Sequence, residues 1–203
     1  CVPWGIVNTY LNDYLAVDCG LSVEGATMVL LWFGIGNFMG QLSGGAFGRY
    51  LYQIHPSYPS LLAGIMAIVG CIPFWFLLNG VDASTGWVTM VVVTFLAGLG
   101  SGVTGPIVKA TLQNVTLPTT RGQAFALLNT FDDVGRGLGP VVLALLIVRM
   151  GERRAAFNIG VLGWVFCGLA NLATYWTVAR DENRVQAVFA ASLESSGLRG
   201  KRE

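Results

Sequence analysis

The sequence predicts an all-α integral membrane protein built as a bundle of six transmembrane helices. Composition points there first: of 203 residues only 11% are charged and 54% are hydrophobic, whereas a soluble domain carries roughly a quarter charged residues. The placement of the charges points the same way. No Asp, Glu, Lys or Arg occurs from 25 to 48, from 55 to 81 or from 83 to 108, and each stretch can cross the ~30 Å hydrocarbon core as a helix. Helices are expected rather than barrel strands, because no alternating apolar pattern is visible and lipid requires each crossing segment to satisfy its own backbone. A net charge of +1, without a basic run interleaved with aromatics, argues against a nucleic-acid partner.

The spans are expected near 2–17, 26–50, 59–79, 87–109, 122–149 and 155–178, giving a bundle over 1–179 and a cytoplasmic tail over 180–203. The first is apolar but dotted with Asn8, Asn12 and Asp13, and ends before Gly20 in a short connection. The second carries Gly36, Gly40, Gly44 and Gly48 at i, i+4 spacing, a small-residue face on which another helix can close. Its Asn37 and Gln41 share one face, as do Asn8 and Asn12. Pro56 and Pro59 separate it from the third span, which holds almost no polar residue from Ser60 to Leu78 and is therefore expected to face lipid. The fourth repeats the small-residue device with Gly98, Gly102 and Gly105, and the fifth with Gly135 and Gly139. Pro73, Pro106 and Pro140 lie within spans and should bend or loosen them. The sixth has only scattered Asn158, Asn171 and Thr174. In the tail, Val185, Val188, Phe189 and Ser192-Leu193 fall at helical spacing, which suits a short helix on the cytoplasmic surface, against a disordered tail ending in Ser195-Ser196-Gly197.

An even number of spans puts both ends on one side, and the basic residues choose it. With the ends in the cytoplasm, Arg49, Lys109, Arg121, Arg180, Arg184, Arg199, Lys201 and Arg202 lie inside, against Arg149, Arg153 and Arg154 outside. Trp87, Tyr175 and Trp176 then stand at span ends, where amphipathic rings favour the interface. This topology hides the sequon Asn114-Val115-Thr116 from glycosylation. Because the chain opens at Cys1 within an apolar segment, it reads as part of a longer protein. Cys1, Cys19, Cys71 and Cys167 show no paired spacing and read as small hydrophobes, with no metal or cofactor site implied.

Phe131-Asp132-Asp133-Val134-Gly135-Arg136 carries the most chemistry. If the helix enters near Gly122, Asp132 lies about ten residues or ~15 Å deep, near the bilayer midplane. Each central charge costs about 2.5–3.5 kcal/mol on insertion scales, so the three need partners. Arg136 follows Asp132 by four residues and Asp133 by three and can pair with either. The second carboxyl is a candidate proton carrier, and a structural interhelix salt bridge or gate is the competing reading.

Taken together, the Asn-dotted first span, the Gly ladder ending Gly44-Gly45-Ala46-Phe47-Gly48-Arg49 and Arg121-Gly122 opening the fifth span resemble the C-terminal half of a major facilitator superfamily transporter. Val2-Pro3-Trp4-Gly5, the acidic fifth span with Gly139-Pro140 and Arg180-Asp181-Glu182 are similar to spinster-like carriers. Two departures stand out: Arg49 occupies the usually acidic position of the family's loop signature, and no Gly pair follows Pro140. The resemblance implies a 3+3 inverted repeat, with the first and fourth helices lining a central cavity, the second and fifth flanking it and the third and sixth facing lipid.

It further implies secondary active transport of a small organic solute by alternating access, proton-coupled as symport or antiport, in a cavity shared with an N-terminal half of the same chain. Asn8, Asn12, Asn37, Gln41 and Asn129 are the solute-binding candidates, and Asp132, Asp133 and Arg136 the coupling network. A scaffold or receptor built on the same bundle is the alternative. An enzyme is not expected, because no His pair, Cys nucleophile or Ser-with-base pattern lies at membrane depth.

Overall fold

The computed structural model describes residues 2–195, and all its regular elements there are helices: α1 (Val2–Val17), α2 (Val23–Ile54), α3 (Tyr58–Val69), α4 (Cys71–Gly80), α5 (Trp87–Asn114), α6 (Arg121–Met150) and α7 (Arg153–Ser195). Cys1, the side chains of Leu193 and Ser195, and the Ser196-Gly197 end with Arg199, Lys201 and Arg202 lie outside the described residues. Three of these rods are long and apolar enough to cross a membrane: Tyr58–Gly80, Trp87–Asn114 and Arg153–Ser192.

Local chemistry sets the ends. Gly20 takes φ 71° in the turn after α1, a conformation open to glycine at little cost. Ser22 then caps α2 by accepting from the Gly25 N–H at 3.0 Å. Gly151, at φ 70°, closes α6 in the left-handed form, with Arg149 in the last turn against the helix dipole. The third rod breaks between α3 and α4 at Gly70, three residues before Pro73. Proline is tolerated in the first turn of a helix but not in its interior, so the chain restarts a helix at Cys71.

The helices meet along glycine seams. α2 lies most extensively on α5, α3 on α7 and α1 on α6. A Cβ at Gly40 would lie 3.0 Å from the Leu99 carbonyl carbon and closer still to its oxygen; one at Gly44 would lie 2.7 Å from the Val103 oxygen. In return, Gly98 faces the Phe33 carbonyl and Gly102 that of Asn37. Gly36 meets the Phe95 carbonyl and Gly48 the Ile107 side chain, so the whole ladder points at α5. Gly139 similarly closes on Val2 and Gly5 of α1, whereas Gly105 faces open space. A second close crossing, Gly70 against Gly100, joins the broken rod to α5.

Four rings tie the middle of the bundle. Trp4–Phe33 (5.9 Å), Phe33–Phe74 (6.0 Å), Phe74–Trp164 (4.9 Å) and Trp164–Trp4 (5.9 Å) form a closed cycle of edge-to-face contacts joining α1, α2, α4 and α7. Such pairs contribute roughly 0.5–1.5 kcal/mol each beyond their buried area. The Val2-Pro3-Trp4-Gly5 segment thus has a packing role at three points: Pro3 packs close to Gly163, Trp4 joins the cycle and Gly5 lies on the Arg136 carbonyl.

The third span does not simply face lipid. Ala63, Gly64, Ala67, Cys71, Phe74, Leu77 and Leu78 are buried, while Ile65, Val69, Ile72, Trp75 and Phe76 form an outward stripe. An absence of polar residues cannot separate the two faces, because lipid and protein interior are equally apolar. Nor does the last helix stop near 178. It runs unbroken to Ser195, so the apolar spacing at Val185, Val188 and Phe189 belongs to a continuation of α7 and not to a separate helix.

Asn79 and Asn158 exchange reciprocal amide hydrogen bonds of 2.8 and 3.0 Å between α4 and α7. Asn158→Leu alone should destabilise the protein by about 1 kcal/mol, the scale of interhelical hydrogen bonds in lipid. Asn79→Leu added to it should cost less than the sum of the two single changes, as a thermal-denaturation double-mutant cycle in detergent would measure.

Candidate functional site

The polar residues of the first and second spans are divided among several local contacts. On α1, Asn12 donates to Thr27 Oγ1 of α2 at 3.2 Å, while Asn8, one turn away, is exposed. On α2, Gln41 Nε2 donates to Asn37 Oδ1 at 2.7 Å, and Asn37 Nδ2 donates to Ser101 Oγ of α5 at 3.3 Å. Ser101 Oγ in turn donates to the Gly98 carbonyl at 2.7 Å. This chain lies beside the Gly98–Gly102 seam, so the close backbone approach holds the amide in reach of the serine.

α6 presents the charges. Arg136 Nη2 lies 2.7 Å from Asp132 Oδ2, an i, i+4 pair on one helix, with the Asp132 side chain 29% and that of Arg136 51% exposed. Asp133 and Asn129 are exposed on the same helix. The Arg136 backbone carbonyl is the surface against which Gly5 closes, so the charged turn sits where α1 crosses α6. Neither the cavity at the end of α2 lined by Gly44, Gly48 and Arg49 nor the small one between α1, α4 and α7 lined by Pro3, Phe74 and Trp164 is lined by a solute-binding or coupling candidate.

Asp13 belongs elsewhere. Arg153 at the start of α7 pairs with Asp13 and, at 2.9 Å, with Asp18 beyond the end of α1. Nearby, Arg154 Nε donates to the Tyr14 hydroxyl at 3.3 Å, and that hydroxyl donates to the Leu78 carbonyl at 2.8 Å. The group clamps the ends of α1, α4 and α7 together. Its pairs are far apart in sequence, and only the outward placing of Arg153 and Arg154 signals it.

A second unforeseen contact lies at the opposite end. The Tyr52 hydroxyl donates to Glu182 Oε1, and Gln186 Nε2 reaches the same oxygen at 3.2 Å. Glu182 is 3% exposed, and its Oε2 has no hydrogen-bond partner among the described residues. The bond to Glu182, with burial adding to it, pushes the Tyr52 phenol up to about 12. Tyr52 therefore stays a donor throughout the physiological range and ties the continuation of α7 to the end of α2.

A helical bundle closed on glycine seams, with three rods long and apolar enough to cross a membrane, is the architecture of an integral membrane protein. The chain belongs to the Major Facilitator Superfamily, whose family model matches residues 1–140, from α1 into α6. It is an integral membrane protein of a family whose members are transporters. A search of curated proteins found no match.

Proposed function

We propose that the chain forms one six-helix half of a secondary active transporter, its third span being the α3–α4 rod, and that it moves a small organic solute by alternating access with proton coupling. The observation that carries this reading is the polar content of a bundle of this family: Asn8 on α1 and Asn129 and Asp133 on α6 are exposed, and Asn37, Gln41 and Ser101 form a hydrogen-bonded chain between α2 and α5. Asn8, Asn12, Asn37, Gln41 and Asn129 bind the solute by hydrogen bonds, and the second half of the carrier supplies the facing wall. Asp133 carries the proton while Asp132 is held by Arg136. The helix pairing supports a 3+3 inverted repeat: exchanging α1, α2 and α3–α4 with α5, α6 and α7 turns the α2–α5 seam into α6–α1 and leaves α3–α7 in place.

Full-length protein in liposomes tests the reading against a panel of sugars, peptides, drugs and lysolipids. Saturable uptake of one class, enhanced by an imposed pH gradient, is the expected result. No flux for any class, in a protein that remains folded, would make the bundle a scaffold or receptor instead.

A further inference from the structure

A cavity of about 250 Å³, lined by none of the solute-binding candidates, lies where α2 and α5 end, α3 begins and α7 passes. One wall is Gly44, Gly45 and Gly48 of α2; Pro59, Ile107 and Val178 are among the apolar residues facing it. Polar groups are few: Arg49, Tyr52, Thr111 and Asn114. Tyr52 is engaged with Glu182, which is buried behind it and does not line the space. Arg49 is exposed, and its side chain makes no ion pair or hydrogen bond among the described residues.

We propose that this cavity seats an anionic phospholipid from the leaflet that this end of the bundle meets. Arg49 takes the phosphate and the apolar wall takes the start of an acyl chain. Charge complementarity selects the ligand, since an uncompensated guanidinium beside an apolar cleft at a membrane surface fits a negative headgroup with a greasy tail. Size agrees: pockets that enclose a whole small molecule run from ~300 Å³ upward, so a smaller open one suits part of a molecule whose remainder stays in the bilayer. The basic-residue bias assigns this end to the cytoplasmic leaflet, but the binding itself depends neither on that assignment nor on the transport reading.

The test uses full-length protein extracted from an equal mixture of phosphatidylcholine and phosphatidylglycerol, with retained lipids counted by native mass spectrometry. Retained lipid should be enriched in phosphatidylglycerol by about fivefold, the value of one basic residue at a charged surface. Arg49→Gln should abolish the enrichment, and Arg149→Gln at the other end of the bundle should preserve it. Gly45→Leu should also abolish it, because a Cβ there meets nothing within 4 Å and the side chain can fill the cleft without touching backbone. Equal retention of the two lipids, enrichment that survives both Arg49→Gln and Gly45→Leu, or full displacement by soluble glycerol phosphate would each overturn the proposal.

Discussion

Gly40→Leu is expected to remove the folded protein, while Gly45→Ala, five residues along the same helix, leaves it intact. A Cβ at Gly40 would run into the Leu99 carbonyl and lie 3.1 Å from the Gly102 Cα. Overpacking a core typically costs about 1–3 kcal/mol when side chains can give way. Here the obstacle is backbone, so α2 and α5 must separate and lose contact along the seam from Gly36 to Gly44. A native protein has only about 5–15 kcal/mol in reserve. At Gly45 the added methyl meets open space, and replacing glycine in a helix interior is worth roughly 0.5–1 kcal/mol in stability. Size-exclusion profiles and thermal unfolding in detergent check both: Gly40→Leu should give aggregate and Gly45→Ala a wild-type peak with an equal or higher melting temperature.

The charged turn of α6 gives the second large effect. Asp132→Asn takes from Arg136 its 2.7 Å carboxylate. Breaking a fully buried pair costs about 3–5 kcal/mol; with these side chains 29% and 51% exposed the loss falls below that range. Expression should fall, and Arg136→Gln added to Asp132→Asn should restore it. Asp133→Asn leaves the pair untouched and should express normally. If Asp133 carries the proton, that variant keeps solute exchange but loses accumulation driven by a pH gradient, because an amide is isosteric and permanently neutral. Unchanged pH-driven accumulation in both Asp133→Asn and the restored Asp132→Asn/Arg136→Gln protein would remove these acids from coupling.

Particular residues show why some of this was legible in the sequence. The ladder from Gly36 to Gly48 could be read because i, i+4 spacing fixes one face of any helix; its partner could not, because Gly98–Gly102 on α5 and Gly135–Gly139 on α6 offer the same small-residue face and only the assembled bundle pairs the ladder with the first. The third-span break was signalled by Pro73 but falls at Gly70, since a proline is compatible with the first turn of a new helix. Arg180 to Arg184 marked the expected end of a membrane span, yet charges do not stop a helix and no glycine or proline intervenes before Ser195. Asn37 and Gln41 were visible as a pair at helical spacing, whereas Ser101 enters only through the crossing of α2 and α5. Tyr52 with Glu182 and Asp13 with Arg153 are longer-range still, and their meeting depends on the assembled bundle.

Alternating access is the central claim, and sided cysteine labelling tests it without knowledge of the solute. In full-length protein with Cys1, Cys19, Cys71 and Cys167 replaced by alanine, single cysteines at Ser84 and Thr120 mark the two membrane faces and one at Asn8 reports on the proposed cavity. An impermeant thiol reagent should reach Ser84 only from outside and Thr120 only from the cytoplasm. Asn8 should react from both sides, each reaction slowed when the opposite mouth is held open. A cysteine at Asn8 that reacts from one face alone, or from neither, would contradict a carrier that exposes this wall alternately to the two sides.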